Sequence, residues 1–221
     1  MASGNYSDNV FINCPFDRKY RNMFRACVFT VLDSGFLPRC SLETNNAAVF
    51  RLQAIVDLIE ECCYGIHDIS RVQLDTGSRL PRFNMPFELG VFYGAKQLGA
   101  TKHMKKECII LEKEQYRYQQ FLSDLAGVDV TPHYDSQQDL INAVRDWLAT
   151  ASKRSTIPQG KDIVKRFGQF EEYIKKACKM RSIAYSDMTF IELVRNMTDW
   201  LKYNQACVAP LITSKPRKAK R

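Results

Sequence analysis

Two carboxylates are placed where acid chemistry is possible. Glu88 lies within RFNMPFELGVFYGAKQLG (82–99) and is the only charged residue between Arg82 and Lys96. A structural helix ordinarily puts its first acid at or beside the N-cap, facing water and complementing the helix dipole. Here apolar residues flank the acid on both sides. That setting suits a carboxylate that opposes a developing positive charge in a dry site, although an exposed first-turn acid fits the residue pattern alone equally well. Asp68, in CYGIHDISR, closes an apolar run and is followed at once by Ser70 and Arg71.

The elements that must position these residues are legible from their periods. NVFIN (9–13) reads as a strand. Residues 17–32 carry helical spacing and stop at Gly35, 36–40 form a second strand, 49–62 a second helix, and 63–69 a third strand. The helix with Glu88 follows. Residues 106–112 then read as a fourth strand, 116–125 as a helix, 128–131 as a weak fifth strand and 137–149 as a helix. Alternation of this kind predicts an α/β protein with a five-stranded parallel sheet in the flavodoxin-like order 2-1-3-4-5, covered on both faces. The expected organisation is a domain over 1–150, a linker over 151–160, a helical hairpin over 161–205 and a basic tail over 206–221, expected to be disordered.

In an open parallel sheet, ligands bind outside the carboxyl ends of the strands, near the point where strand order reverses. That rule gathers Asn13, Cys14, Pro15, Phe16 and Asp17 after strand 1, Arg39, Ser41 and Glu43 after strand 2, and Asp68, Ser70 and Arg71 after strand 3. Bland roles exist for several of them. Asp68 could cap the next turn, Asn84 could be an N-cap or turn residue, and His67 in an apolar strand suits a core histidine. Arg71, Arg79 and Arg82 fit a solvated loop face or a substrate bearing phosphates.

The segments FINCPFD, HDISR and FNMPFELGVFYGAKQLG, in this order, resemble the nucleoside 2-deoxyribosyltransferase-like branch of the TIR-type fold over about residues 9–150. Positions matching its pattern are Asp68-Ile69-Ser70, Asn84 and Phe87-Glu88-Leu89-Gly90. The helix departs from it at Gly94-Ala95, and the basic helical C-terminus has no counterpart there.

The resemblance implies an N-glycosidase or ribosyl-transfer activity on a nucleotide, NAD foremost, with no further cofactor. Glu88 would face the anomeric carbon, and Asp68 would bind ribose hydroxyls or assist the departing base. Asn13 and Asn84 would position sugar or base, Phe16 or Tyr93 would stack on a heterocycle, and Ser70 and Arg71 would complete the substrate site. Relatives act as toxic effectors in bacterial antiviral defence, which implies restraint by a partner or signal. Base transfer between deoxynucleosides, and a nucleotide-sensing or adaptor module without turnover, are the alternatives.

Composition narrows the classes. The eight cysteines form no CxxC pair and the three histidines are well separated, so neither a zinc site nor a disulfide framework is expected. Cys14, at the end of the first strand, could reach a site, although a thiol packed under a loop is the expected reading. No GxGxxG phosphate loop is present, which argues against a hydride-transfer dehydrogenase. No window approaches the roughly 18 apolar residues of a membrane span, and MASGNYSDN lacks the basic-then-apolar order of a signal peptide, so a cytoplasmic protein is expected. Residues 1–152 hold 16 Lys/Arg against 18 Asp/Glu, whereas 153–221 hold 16 against 6. The basic C-terminal third predicts weak, sequence-independent contact with nucleic acid or an acidic partner. Apolar stripes at Ile163, Phe167, Phe170 and Ile174, and at Phe190, Leu193, Met197 and Leu201, suggest pairing into a homo-oligomer.

Overall fold

The computed structural model describes residues 4–43, 48–72 and 82–204. Five strands, β1 (Asn9–Asn13), β2 (Leu37–Arg39), β3 (Tyr64–Asp68), β4 (Glu107–Glu112) and β5 (Val130–Pro132), form one parallel sheet in the order β2-β1-β3-β4-β5. This is the flavodoxin-like order. All residues of β1 and β3 are buried, as they must be in strands covered on both faces, and that is why they read as apolar runs without alternation.

Helix α2 (Arg51–Glu61) and helix α3 (Asn84–Leu98) cover one face, where Ile55, Leu58, Ile59 and Phe92 pack on Phe11. Helix α1 (Arg21–Asp33) and helix α4 (Gln137–Ser152) cover the other. Residues Met23 to Val31 of α1 are all buried, because the helix lies between the sheet and the last two helices, α5 (Gly160–Met180) and α6 (Phe190–Asn204). Phe29 meets Phe167, Phe170 and Trp200 with ring centroids 5.4, 5.6 and 6.1 Å away. Burial of such a side chain contributes roughly 1.5–3 kcal/mol. Arg166 of α5 clamps the buried Asp33 at the end of α1 at 2.8–2.9 Å. Gly35, at φ +81°, takes the left-handed conformation that terminates α1, with Phe36 N bonded to Val31 O at 3.0 Å.

Three expectations are corrected. The helix expected over 116–125 is two short 3₁₀ turns, Arg117–Gln120 and Ser123–Leu125, because Tyr116 enters in the left-handed region at φ 63° and no α-helical ladder starts. The 151–160 linker is a packed connection: α4 extends to Ser152, Ile157 is buried, and Arg145 holds Pro158 O at 2.6 Å. The two apolar stripes of α5 and α6 are spent inside the chain, on α1, so they supply no surface for pairing between copies. The basic tail lies outside the described residues. Among the described residues no helix is long and apolar enough to cross a membrane.

Candidate functional site

Strand order reverses between β1 and β3, so the crevice at their carboxyl ends is where a ligand of this fold is received. Glu88 stands there, on the second turn of α3. It is 7% exposed, and its carboxyl makes no hydrogen bond or ion pair among the described residues. Burial pushes its carboxyl up to about 7, and Arg51 at the start of α2 pulls the other way. The thiols of Cys14 and Cys40, at the ends of β1 and β2, are buried and raised first by desolvation, with the charge of Glu88 adding to both. Glu88 is therefore a dry carboxylate poised between its charged and neutral forms.

Its placement depends on Asn13. The Asn13 side-chain amide donates to Met85 O at 2.8 Å and lies 3.1 Å from His67 Nδ1, which fastens the first turn of α3 to the end of β1. As an acceptor from Asn13, His67 Nδ1 leaves the proton on Nε2, which is buried without a partner beside the ring of Phe92. Desolvation holds His67 down to about 3, so it is a neutral core residue.

Asp68 is held in a different way. It is 0% exposed, and both oxygens are occupied. Oδ1 accepts the amide of Ser70 at 2.9 Å, and Oδ2 accepts the Tyr20 hydroxyl. His133, just beyond β5, receives the Asp135 amide on Nδ1, which puts its proton on Nε2, 3.1 Å from Asp68 Oδ2 although off the line of a well-formed hydrogen bond. Behind this group, Glu112 of β4 is also 0% exposed and takes Arg117 on Oε1, and Arg117 reaches on to Ser70 O at 2.5 Å. Asp68 thus ties β3 to α1 and to the end of β5. The sequence offered it either a ligand or a cap on the next turn; the Ser70 amide on Oδ1 is such a cap, and Tyr20 and His133 occupy the other oxygen.

Other expected residues divide. Ser70 is 1% exposed with its hydroxyl buried and unpartnered. Arg71 is half-buried beside it, with no partner among the described residues. Asn84 opens α3 one turn before Glu88 and is exposed. Tyr93 is 54% exposed, and five residues along a helix place it roughly 140° around from Glu88, too far to share its face. Phe16 packs edge-on to Phe24, with centroids 5.3 Å apart, and lines a cavity shared with α6 rather than the Glu88 crevice. The amides ahead of α1, which at a helix start could receive an anion, are taken by Asp17 Oδ1, 2.9 Å from both Lys19 N and Tyr20 N. Arg79 lies outside the described residues. Arg82 bonds Asp17 Oδ2 at 2.9 Å.

Arg51 and His133 went unnoticed in the sequence, and Tyr20 counted only as a member of the apolar stripe of the first helix. Tyr20 had a usable signal, a hydroxyl in the loop leaving strand 1; His133 had only its place after a short strand. Among the described residues no group of His, Cys, Asp and Glu is arranged to hold a metal ion. Neither models of known protein families nor curated proteins match the chain.

Proposed function

We propose that the chain is an N-glycosidase that cleaves the base–ribose bond of a nucleotide, with NAD as the leading substrate. The observation that carries this reading is Glu88: a buried carboxylate without a partner among the described residues, at the crossover of β1 and β3, next in the chain to Phe87, which is 56% exposed. The resemblance of FNMPFELGVFYGAKQLG to the deoxyribosyltransferase-like branch supports the same role.

A dry carboxylate is costly until a cation arrives. The nicotinamide ring of NAD is a cation, so its docking against Glu88 offsets the desolvation that raises the carboxyl and returns the group to its charged form. As the C–N bond breaks, the bonding pair moves to the ring nitrogen, the ring becomes neutral, and positive charge appears on the ribose. A carboxylate about 4 Å from that charge, at an effective dielectric of about 20, contributes roughly 4 kcal/mol, or about three orders of magnitude in rate. Water adds to the anomeric carbon, and its proton passes to Glu88 or to solvent. Arg71, half-buried just after β3, is the proposed contact for a phosphate of the same nucleotide. Asn13 and Asp68 act through structure, the first by holding α3 and the second by holding the strand ends. In this reading the protein works as a toxic effector in antiviral defence, restrained until a partner or signal arrives.

The test is to incubate the purified chain with NAD and a panel of nucleosides and to identify free base. Release of nicotinamide with water as acceptor supports the proposal. Exchange of bases between deoxynucleosides makes it a transferase, and tight binding without product makes it a sensor; either contradicts hydrolysis.

A further inference from the structure

A second cavity, apart from Glu88, lies between α1 and α6. Its volume is about 160 Å³, and its walls include Phe16, Phe24, Phe190 and Leu193. Its aromatic wall is continuous: Phe16 meets Phe24 edge-on at 5.3 Å, and Phe24 meets Phe190 at 5.9 Å. A cavity of about 150 Å³ is large enough to hold a benzene ring, and here the aromatic wall faces charged and polar residues, Asp17, Arg21, Arg25 and Ser186.

The charges on its lining are unequally committed. Asp17 is fully used by Lys19 N, Tyr20 N and Arg82. Arg25 donates to Tyr185 O at 2.8 Å and stacks on the Tyr185 ring at 3.4 Å. Arg21 lines the same cavity, half-buried, and makes no hydrogen bond, ion pair or ring contact among the described residues. A guanidinium at the mouth of an aromatic pocket, with its five donors unspent, matches a planar carboxylate.

From this conjunction we infer that the cavity is a binding site for a compact aromatic carboxylate, the ring against the wall formed by Phe16, Phe24 and Phe190 and the carboxylate on Arg21. The site is independent of the reading of Glu88, since the two share no residue. Its outer lip does touch the crevice, because Asp17 pairs with Arg82, which leads into α3. Benzoate is the probe.

Titration of the full chain with benzoate, followed by amide chemical shifts, is expected to saturate in the millimolar range or tighter, with shifts confined to the α1 and α6 residues that line the cavity. Arg21→Gln, a surface-facing change that leaves the aromatic walls intact, is expected to weaken benzoate by about tenfold or more and to leave the neutral isostere benzamide within about twofold. Equal affinity of benzoate for both proteins, shifts centred away from the cavity, or no saturable binding to the folded wild type would each overturn the inference.

Discussion

Asn13 donates its side-chain amide to the carbonyl of Met85 at 2.8 Å, and this bond joins the end of β1 to the turn that carries Glu88. Strand and helix are thereby set relative to each other by a side chain that is 1% exposed. The sheet supplies the position, the helix supplies the acid, and Asn13 fixes the distance between them.

Replacement of Asn13 by Leu removes that bond and leaves His67 Nδ1 without its donor. Loss of a buried hydrogen-bonding partner costs about 1–3 kcal/mol, so a lower denaturant midpoint with an unchanged slope is expected. Turnover should fall further than the affinity for substrate, because the acid is misplaced while Arg71, the proposed phosphate contact, is untouched. An unchanged kcat would show that Asn13 does not position Glu88.

Asp68→Asn tests the structural reading of the second carboxylate. The amide cannot accept at both of its heavy atoms, so either the Ser70 amide or the Tyr20 hydroxyl loses its acceptor. Hydrogen bonds to a charged group contribute about 1.5–3 kcal/mol each, and a loss of that order is expected in chemical unfolding. Unaltered stability with a raised KM would place Asp68 against the ligand instead.

Stability should also report Glu88 directly. Its carboxyl is raised from 4.5 to about 7 in the folded protein, so between these values the native chain keeps a proton that the unfolded chain has released. The contribution is present in full below about 4.5 and is lost as pH rises through about 7. His67 acts with the opposite sign, since its neutral form is favoured and its contribution is lost as pH falls below 6.5 towards about 3. The difference between wild type and Glu88→Gln cancels His67. That difference should be small near pH 3.5 and should turn in favour of the variant near pH 8, about a unit outside either end of the window from 4.5 to about 7. A difference flat in pH would mean that Glu88 is not desolvated.

Much of this architecture could be read in advance, for a physical reason. Strands β1 and β3 are buried on both faces, so NVFIN and CYGIHDI had to be continuous apolar runs, and Gly35 had to end α1 because the chain turns there with positive φ. The 116–125 segment misled because Tyr118, Phe121, Leu122 and Leu125 have helical spacing, yet they serve two 3₁₀ turns that pack on Met85 and Leu89. The stripes of α5 and α6 were visible, but a period shows which face is apolar and not what covers it. For the site, Glu88 was legible because a lone acid among apolar residues is a local signal. The occupancy of Asp68 was not, since its partners Tyr20 and His133 come from opposite ends of the sheet domain and leave no mark near Asp68 in the chain.

Release of nicotinamide from NAD, measured for wild type and Glu88→Gln across the pH range, tests the central claim most directly. General acid–base and charge-stabilising groups of this kind contribute at least about a hundredfold, so the variant should lose activity by that factor or more while its circular dichroism and unfolding cooperativity match wild type. In the wild type, kcat/KM should rise with pH through about 7, the value at which burial leaves Glu88, and kcat should rise at lower pH because the cationic ring favours the charged carboxylate. Nicotinamide release by Glu88→Gln within about threefold of wild type, a loss smaller than any single catalytic group contributes, would contradict the account.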